Sequence, residues 1–354
     1  MTDLEAWIKL SLAKGVGEET LKVLVQKFGS PRGVIQASGR RLRDVASNEI
    51  AENIRKCIDL DVGKHISLMN SLGVKLISFM GDEYPERLKR LPYAPPLLYV
   101  RGDLRDDEPS IAVIGSRRAS HYGKVIAERF ARELARVGLT IISGLARGID
   151  TCAHRGALEE NGRTIAVLGC GIDRVYPSEN VYLMEKVIMN GACISEFPIG
   201  TYPFAGNFPQ RNRIISGLSD AILVIEATER SGTFTTVKWA LEQGKEVFAV
   251  PGNITQETSK GTNKLIMDGA RPITCTQDII DALKLDRIIE MRELPSLTED
   301  EKEVYESVGN TPTHIDQLSI SLSIPVSRLS GILLSLELKS AVRQLPGRYF
   351  MREQ

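Results

Sequence analysis

The sequence of 354 residues holds only five cysteines, Cys57, Cys152, Cys170, Cys193 and Cys275, widely separated and with no C-x-x-C pair. That argues against a disulfide framework and against a compact zinc site. It has no surplus of either charge, since 45 Lys and Arg balance 45 Asp and Glu, so any surface for a polyanion must be a local patch. No apolar run approaches membrane-spanning length, and the opening M-T-D-L-E-A-W places acids where a secretory signal needs basic residues. The expectation is a cytoplasmic protein with no membrane insertion. The dinucleotide pattern G-x-G-x-x-G is missing after the strand at Ile111, and G-x-x-x-x-G-K-[ST] is missing from the loop at Ser231. A conventional NAD site and P-loop ATP hydrolysis therefore have no support.

What is present is a chain with 42% apolar residues, 30 glycines and 16 prolines, enough for one large core and one or two satellites. Helical periodicity runs from the start to about Leu72, with stripes at Leu4, Trp7, Ile8, Leu12 and at Leu21, Leu24, Val25, Phe28. The intervening K-G-V-G-E-E-T resembles a helix-hairpin-helix (SAM-like) loop. Its backbone amides suit a DNA phosphate, but Glu18 and Glu19 favour a plain packing role. Residues 73–110 read as short strands around a proline-rich loop, because Pro92, Pro95 and Pro96 forbid helix there.

From 111 to 290 strands and helices alternate. Strands are predicted at Ile111 to Ile114, Leu139 to Ile142, Thr164 to Leu168, Ala192 to Ser195, Ala221 to Glu226 and Val247 to Val250, with helices between them. This is the pattern of an α/β fold with an extended Rossmann-like, doubly wound parallel sheet. Residues 298–354 read as three helices and a hairpin around Leu345-Pro346-Gly347-Arg348, a winged-helix domain. Acidic residues outnumber basic ones in it, and its third helix carries the single arginine Arg328. A partner or self-contact role fits that composition better than groove reading, which needs several donors.

Chemistry concentrates in the glycine loops after the predicted strands. Gly115 permits a tight turn, Ser116 offers a hydroxyl and Arg117 a planar fork of donors, together an anion nest rather than a nucleophile. S-G-L-A-R-G-I-D supplies Ser143, Gly144, Arg147 and Gly148 as further phosphate candidates. Asp150 and His154, four residues apart on one helix, are either a catalytic pair or, more simply, a cap and a brace. F-P-Q-R-N-R gathers Phe208, Arg211, Asn212 and Arg213, an aromatic platform with two guanidinium groups suited to gripping a single strand without reading its sequence. The alternative for Arg213 is a structural salt bridge. Ser231, Gly232 and Thr233 form a second phosphate-type loop, and Lys260, Asn263 and Lys264 are candidates for the outer rim. No catalytic residue, metal or cofactor is expected.

Taken together, G-S-R at 115, S-G-L-A-R-G-I-D at 143, A-H-R-G-A-L at 153, Y-P at 176, F-P-Q-R-N-R-I-I-S-G-L at 208, S-G-T at 231 and V-F-A-V-P-G at 247 resemble the DNA-processing protein A (Smf) family. The resemblance covers essentially the whole large domain, and the order helical domain, Rossmann-like domain, winged helix matches as well. It implies a bacterial protein that binds single-stranded DNA during natural transformation and helps load the RecA recombinase on it. It also implies a homodimer through the Rossmann-like domain, with Arg117 and the region of Phe208 in the DNA-holding pocket. Members of the family often carry a basic residue just before F-P-x-R-N-R, where this chain has only T-Y-P-F-A-G-N. The competing class is a phosphoribohydrolase-like enzyme on a related sheet. Where that family would place its catalytic glutamate this chain has Thr236, which removes the carboxylate such hydrolysis needs.

Overall fold

The computed structural model describes residues 1–285, 298–309, 312–339 and 341–352, in two units, Met1–Leu283 and Lys284–Gln354. Six helices open the chain: α1 (Asp3–Leu12), α2 (Glu18–Phe28), α3 (Pro31–Gln36), α4 (Gly39–Arg43), α5 (Asn48–Cys57) and α6 (Gly63–Ser71). The first begins with a capping box in which Thr2 and Glu5 satisfy each other's backbone N–H groups. Its buried face is Ala6, Trp7, Ile8 and Leu10, while Leu4 and Leu12 stay exposed. The predicted stripe is therefore right at its centre and wrong at its ends.

The 73–110 segment is more than a connector. It forms β1 (Lys75–Ser78), the short helix α7 (Glu86–Lys89) and β2 (Leu97–Gly102). Both strands enter the main sheet, β2 lying antiparallel to the later strand β6 (Gly191–Ser195) and β1 antiparallel to β2. Leu97 on β2 packs into the core of the N-terminal helices, and Ile8, Val62 and Met69 pack with Tyr99, Leu168 and Met184. The predicted boundary at 72 thus runs through a shared core.

Every predicted strand of the large domain is present: β3 (Ser110–Ile114), β4 (Thr140–Ser143), β5 (Thr164–Val167), β6, β7 (Ala221–Val224) and β8 (Glu246–Ala249), followed by a short β9 (Arg271–Pro272). The nine strands lie in the order β1-β2-β6-β5-β4-β3-β7-β8-β9, all parallel from β6 to β9. Strands β3 to β7 are buried along their whole length, as expected where helices cover both faces. Those helices are α8 (His121–Arg136), α9 (Ile149–Glu159), α10 (Val181–Asn190), α11 (Asn207–Leu218), α12 (Thr233–Glu242), α13 (Glu257–Met267) and α14 (Thr276–Leu283). Helix α13 is not predicted, because its Gly261-Thr262-Asn263 centre is poor helix sequence. The glycine serves packing there, since a Cβ at 261 would lie 2.5 Å from the Ala227 carbonyl oxygen.

The chain runs outward from β3 through β4 and β5 to β6, then returns past β3 to build β7, β8 and β9. The topological switch point therefore lies between β3 and β7, and a crevice opens beyond their carboxyl ends.

The second unit has helices α15 (Glu299–Ser307), α16 (Ile315–Leu322) and α17 (Val326–Leu338), with strands β10 (Thr313–His314), β11 (Val342–Leu345) and β12 (Tyr349–Arg352) in the order β10-β12-β11. It is the predicted winged helix with one extra short strand. Val304, Leu318, Leu329, Leu333, Leu336 and Phe350 form its core. Among the described residues no single helix is long and apolar enough to cross a membrane. The sequence further predicts a final helical segment running to about Leu294, whose end lies outside the described residues.

Candidate nucleic-acid interface

A cleft of about 820 Å³ occupies the switch point. Its first wall is the turn after β3. A Cβ at Gly115 would sit 2.7 Å from Ile149 and 2.8 Å from the Glu226 carbonyl oxygen, so only glycine lets the loops after β3 and β7 meet. Ser116 N–H then donates to that same carbonyl at 2.8 Å. Gly148, with φ +78°, holds the loop after β4 directly behind them, where a Cβ would lie 2.3 Å from the Ser116 carbonyl oxygen. Pinned in this way, exposed Arg117 places its guanidinium 4.7 Å above the Phe208 ring. Tyr176 stands 5.6 Å from the same ring at 39°.

Phe208 and Arg211 are three residues apart on α11 and share a face. Arg211 forms the floor, 3% exposed, donating through Nη1 to Gly144 O at 2.8 Å and to Val167 O, and through Nε to Asn212 Oδ1 at 3.2 Å. Burial pulls its pKa down to about 10, against the attraction of Asp150, so it remains protonated at neutral pH. Burial likewise raises the Asp150 carboxyl, opposed by Arg211 and by the N–H groups of Ala146 and Gly144. Asn212 lines the cleft beside them.

Across the cleft, Ser231, Gly232 and Thr233 lie on its wall at the N-terminus of α12. Gly232 is the cap position and offers no side chain, while the Ser231 hydroxyl accepts from Thr233 N–H at 3.2 Å. The α8 terminus differs. Glu226 accepts from Ser120 N–H at 2.9 Å and from the Ser120 hydroxyl at 2.6 Å, and a Cβ at Gly123 would lie 2.4 Å from its carboxyl carbon. A side-chain carboxylate from this chain already stands where a helix terminus could receive a phosphate.

Several predicted site residues are not brought to the cleft wall. Arg213 is the clearest correction. Two residues along a helix turn about 200°, so Arg213 points away from Arg211. It is buried against Glu196 at 2.7 Å, Glu18 at 2.6 Å and the Tyr93 carbonyl at 2.8 Å. This ties α2 to α11 and gives the Gly15–Gly17 turn a packing role through Glu18. Ser143 is buried and donates to Val113 O, and Gly144 N–H donates to Asp150 at 3.1 Å, so neither is free for a ligand. Arg147 is exposed but paired with Glu179 at 2.8 Å, and Gly148 acts through its backbone conformation.

Asp150 and His154 do not form a pair. His154 Nδ1 lies 2.7 Å from Thr164 Oγ1, whose own proton goes to Ile141 O. The imidazole therefore donates through Nδ1, and burial lowers its pKa to about 3. Lys260 pairs with Glu257, and Asn263 bonds both backbone groups of Gly252. Lys264 is exposed, and like these two it is absent from the cleft wall. The lining also includes Tyr176, Arg118, Thr228 and Thr258, which sequence reasoning did not single out as site residues. The Y-P step at 176 was the available signal for the first. Among the described residues no cluster of His, Cys, Asp or Glu could hold a metal ion.

A doubly wound sheet with an aromatic and cationic cleft at its switch point, followed by a winged helix, defines the class of α/β protein to which this chain belongs. The chain belongs to the DNA recombination-mediator protein A family, whose model matches residues 75–284, and the DprA winged helix domain matches residues 290–348. It is 35% identical to Protein Smf of Escherichia coli (strain K12) over 99% of this chain and 96% of that protein. It is 42% identical to the DNA processing protein DprA of Streptococcus pneumoniae over 57% of this chain and 72% of that protein. The X-ray structure of DNA processing protein A from Streptococcus pneumoniae superposes with a TM-score of 0.70 at 33% identity, covering 79% of this chain and 98% of that one. A DNA processing protein A structure from Helicobacter pylori, described for its unique single-stranded DNA binding mode, gives 0.55 at 32% identity and covers 60% of this chain and 96% of that one.

Proposed function

We propose that the cleft holds unpaired DNA without reading its sequence and without catalysing a reaction on it, and that the bound strand is handed to the RecA recombinase during natural transformation. The observation that carries this reading is the stack of Arg117 on Phe208, with Tyr176 beside it, above the buried Arg211. A guanidinium over an aromatic face serves a phosphate and a base together, the combination that single-strand binders use. A duplex would hide its base faces from Phe208. The cleft also lacks the carboxylate of a phosphoribohydrolase, since Thr236 lies on its wall at that place. In this reading the protein works in the cytoplasm as a homodimer formed through the Rossmann-like domain, with no cofactor.

The test is a titration of single- and double-stranded oligonucleotides of unrelated sequence at several salt concentrations, with AMP and phosphoribosylated nucleotides assayed in parallel for turnover. Salt-sensitive preference for single strands without turnover is expected. Equal affinity for duplex, or release of base from a nucleotide, refutes the reading. RecA filament growth on a strand coated with single-strand-binding protein, with and without this protein, tests the hand-off.

A further inference from the structure

Residues 201–206, T-Y-P-F-A-G, form an uncharged loop at the cleft mouth. It holds two large aromatic side chains in solvent, Tyr202 at 69% exposure and Phe204 at 70%. The loop lacks charge of its own but not a charged neighbour. Arg174 lies across Tyr202 with its guanidinium carbon 3.7 Å from the ring centroid. The pair is held in register: Arg174 Nε donates to Gly200 O at 3.2 Å, Asp173 accepts from Gly200 N–H at 2.9 Å, and Gly171 N–H donates to Thr201 O at 2.9 Å. Asp173, 3.8 Å from Arg174 Nε, is mostly buried and engaged with the loop backbone. Among the described residues no hydrogen bond uses Arg174 Nη1 or Nη2. With its guanidinium carbon against the ring face, Arg174 keeps its Nη donors available to an anion.

The platform adjoins the cleft through both of its members. Tyr176, two residues beyond Arg174, and Pro203, next to Tyr202, both line the cleft. We propose that Arg174 and Tyr202 form a second nucleotide subsite, which takes the base and phosphate of the nucleotide adjoining the one in the cleft, on the same unpaired DNA strand. Tyr202 supplies the stacking face and Arg174 the phosphate contact. This rests on the single-stranded DNA reading given above and extends it from one nucleotide to a path.

The experiment uses the full chain and its Tyr202→Ala, Tyr202→Phe and Arg174→Ala variants. Anisotropy is measured with a long oligothymidylate over a salt series, and thymidine 3′,5′-bisphosphate, which fills the cleft alone, is measured by displacement. Tyr202→Ala is expected to weaken the long strand by roughly tenfold while leaving the bisphosphate and the salt slope unchanged. Tyr202→Phe keeps wild-type affinity. Arg174→Ala weakens the long strand and lowers the salt slope by about 0.7. Wild-type binding by both alanine variants overturns the subsite. So does an equal loss on the long strand and the bisphosphate, which makes the pair a loop clamp. A wild-type protein that binds no strand refutes the underlying function, a result distinct from either.

Discussion

The two arginines that meet at Phe208 have separable jobs, and replacing each by alanine tells them apart. Arg211 is buried beneath the cleft and bonded to two strand-end carbonyls next to Asp150. Arg211→Ala leaves the two buried carbonyls without this donor, at about 1–3 kcal/mol each, and removes the cation that opposes burial at Asp150, together a loss of about 3–5 kcal/mol. In a domain of this size that lowers the melting temperature by roughly 6–20 °C. Arg117 is exposed and touches the fold mainly through the Phe208 face, so Arg117→Ala costs about 0.5–1 kcal/mol of stability. Its effect falls on binding: roughly tenfold weaker affinity for an unpaired strand, and a plot of log affinity against log salt that is shallower by about 0.7. Thermal melts and anisotropy titrations on the same two proteins are the assay. If Arg211→Ala melts with the wild type, or Arg117→Ala keeps wild-type affinity and slope, the division into floor and gripping residue is wrong.

Gly148→Ala should destabilise the first unit and lower strand affinity together, because the new Cβ collides with the backbone at Ser116 and Arg117; melts and binding that do not change in parallel count against the shared wall. Glu18 gives a pH signature. Burial, then the neighbouring Glu196, push its carboxyl up to about 8, with Arg213 opposing. The folded protein therefore keeps a proton that the unfolded chain releases above about 4.5, and stability falls as pH rises from there to about 8. Glu196 is shifted the other way and acts below that window. Melting curves across the range should slope downward for the wild type and flatten for Glu18→Gln; an unchanged slope rejects the assignment. Leu333→Ala, in the core of the second unit, should cost that unit about 2–5 kcal/mol and leave the melting of the first unit in place, as two-step calorimetry would show.

Local pattern carried the sheet. The six predicted strands β3 to β8 lie within a residue or two of their spans because they are buried, and a short apolar run is then easy to see; the exposed two-residue β9 gives no such run. What the pattern hid was partnership between distant segments. F-P-Q-R-N-R announces two arginines, but only the turn of α11 decides that Arg211 faces the cleft and Arg213 faces away, and the side-chain oxygens that receive Arg213 come from Glu18 and Glu196. The glycines at 115 and 148 mark places where loops approach too closely for a Cβ, which the sequence shows only as glycine at a strand end. Ser143 and Gly144, expected as phosphate contacts, spend their donors inside the fold instead. Arg174 and Tyr202 left no signal, because residues 28 apart in sequence become neighbours only through the loops beyond β5 and β6.

Glu226 at the start of α8 and Asp150 at the turn before α9 have a joint consequence. Doubly wound sheets that take dinucleotides receive the pyrophosphate at such a helix terminus, whereas here the protein's own acids accept from these amides. In the single-strand reading proposed above, retention grows with the number of modest contacts strung along one polymer, so discrimination against small phosphates follows in that reading from how long the ligand is.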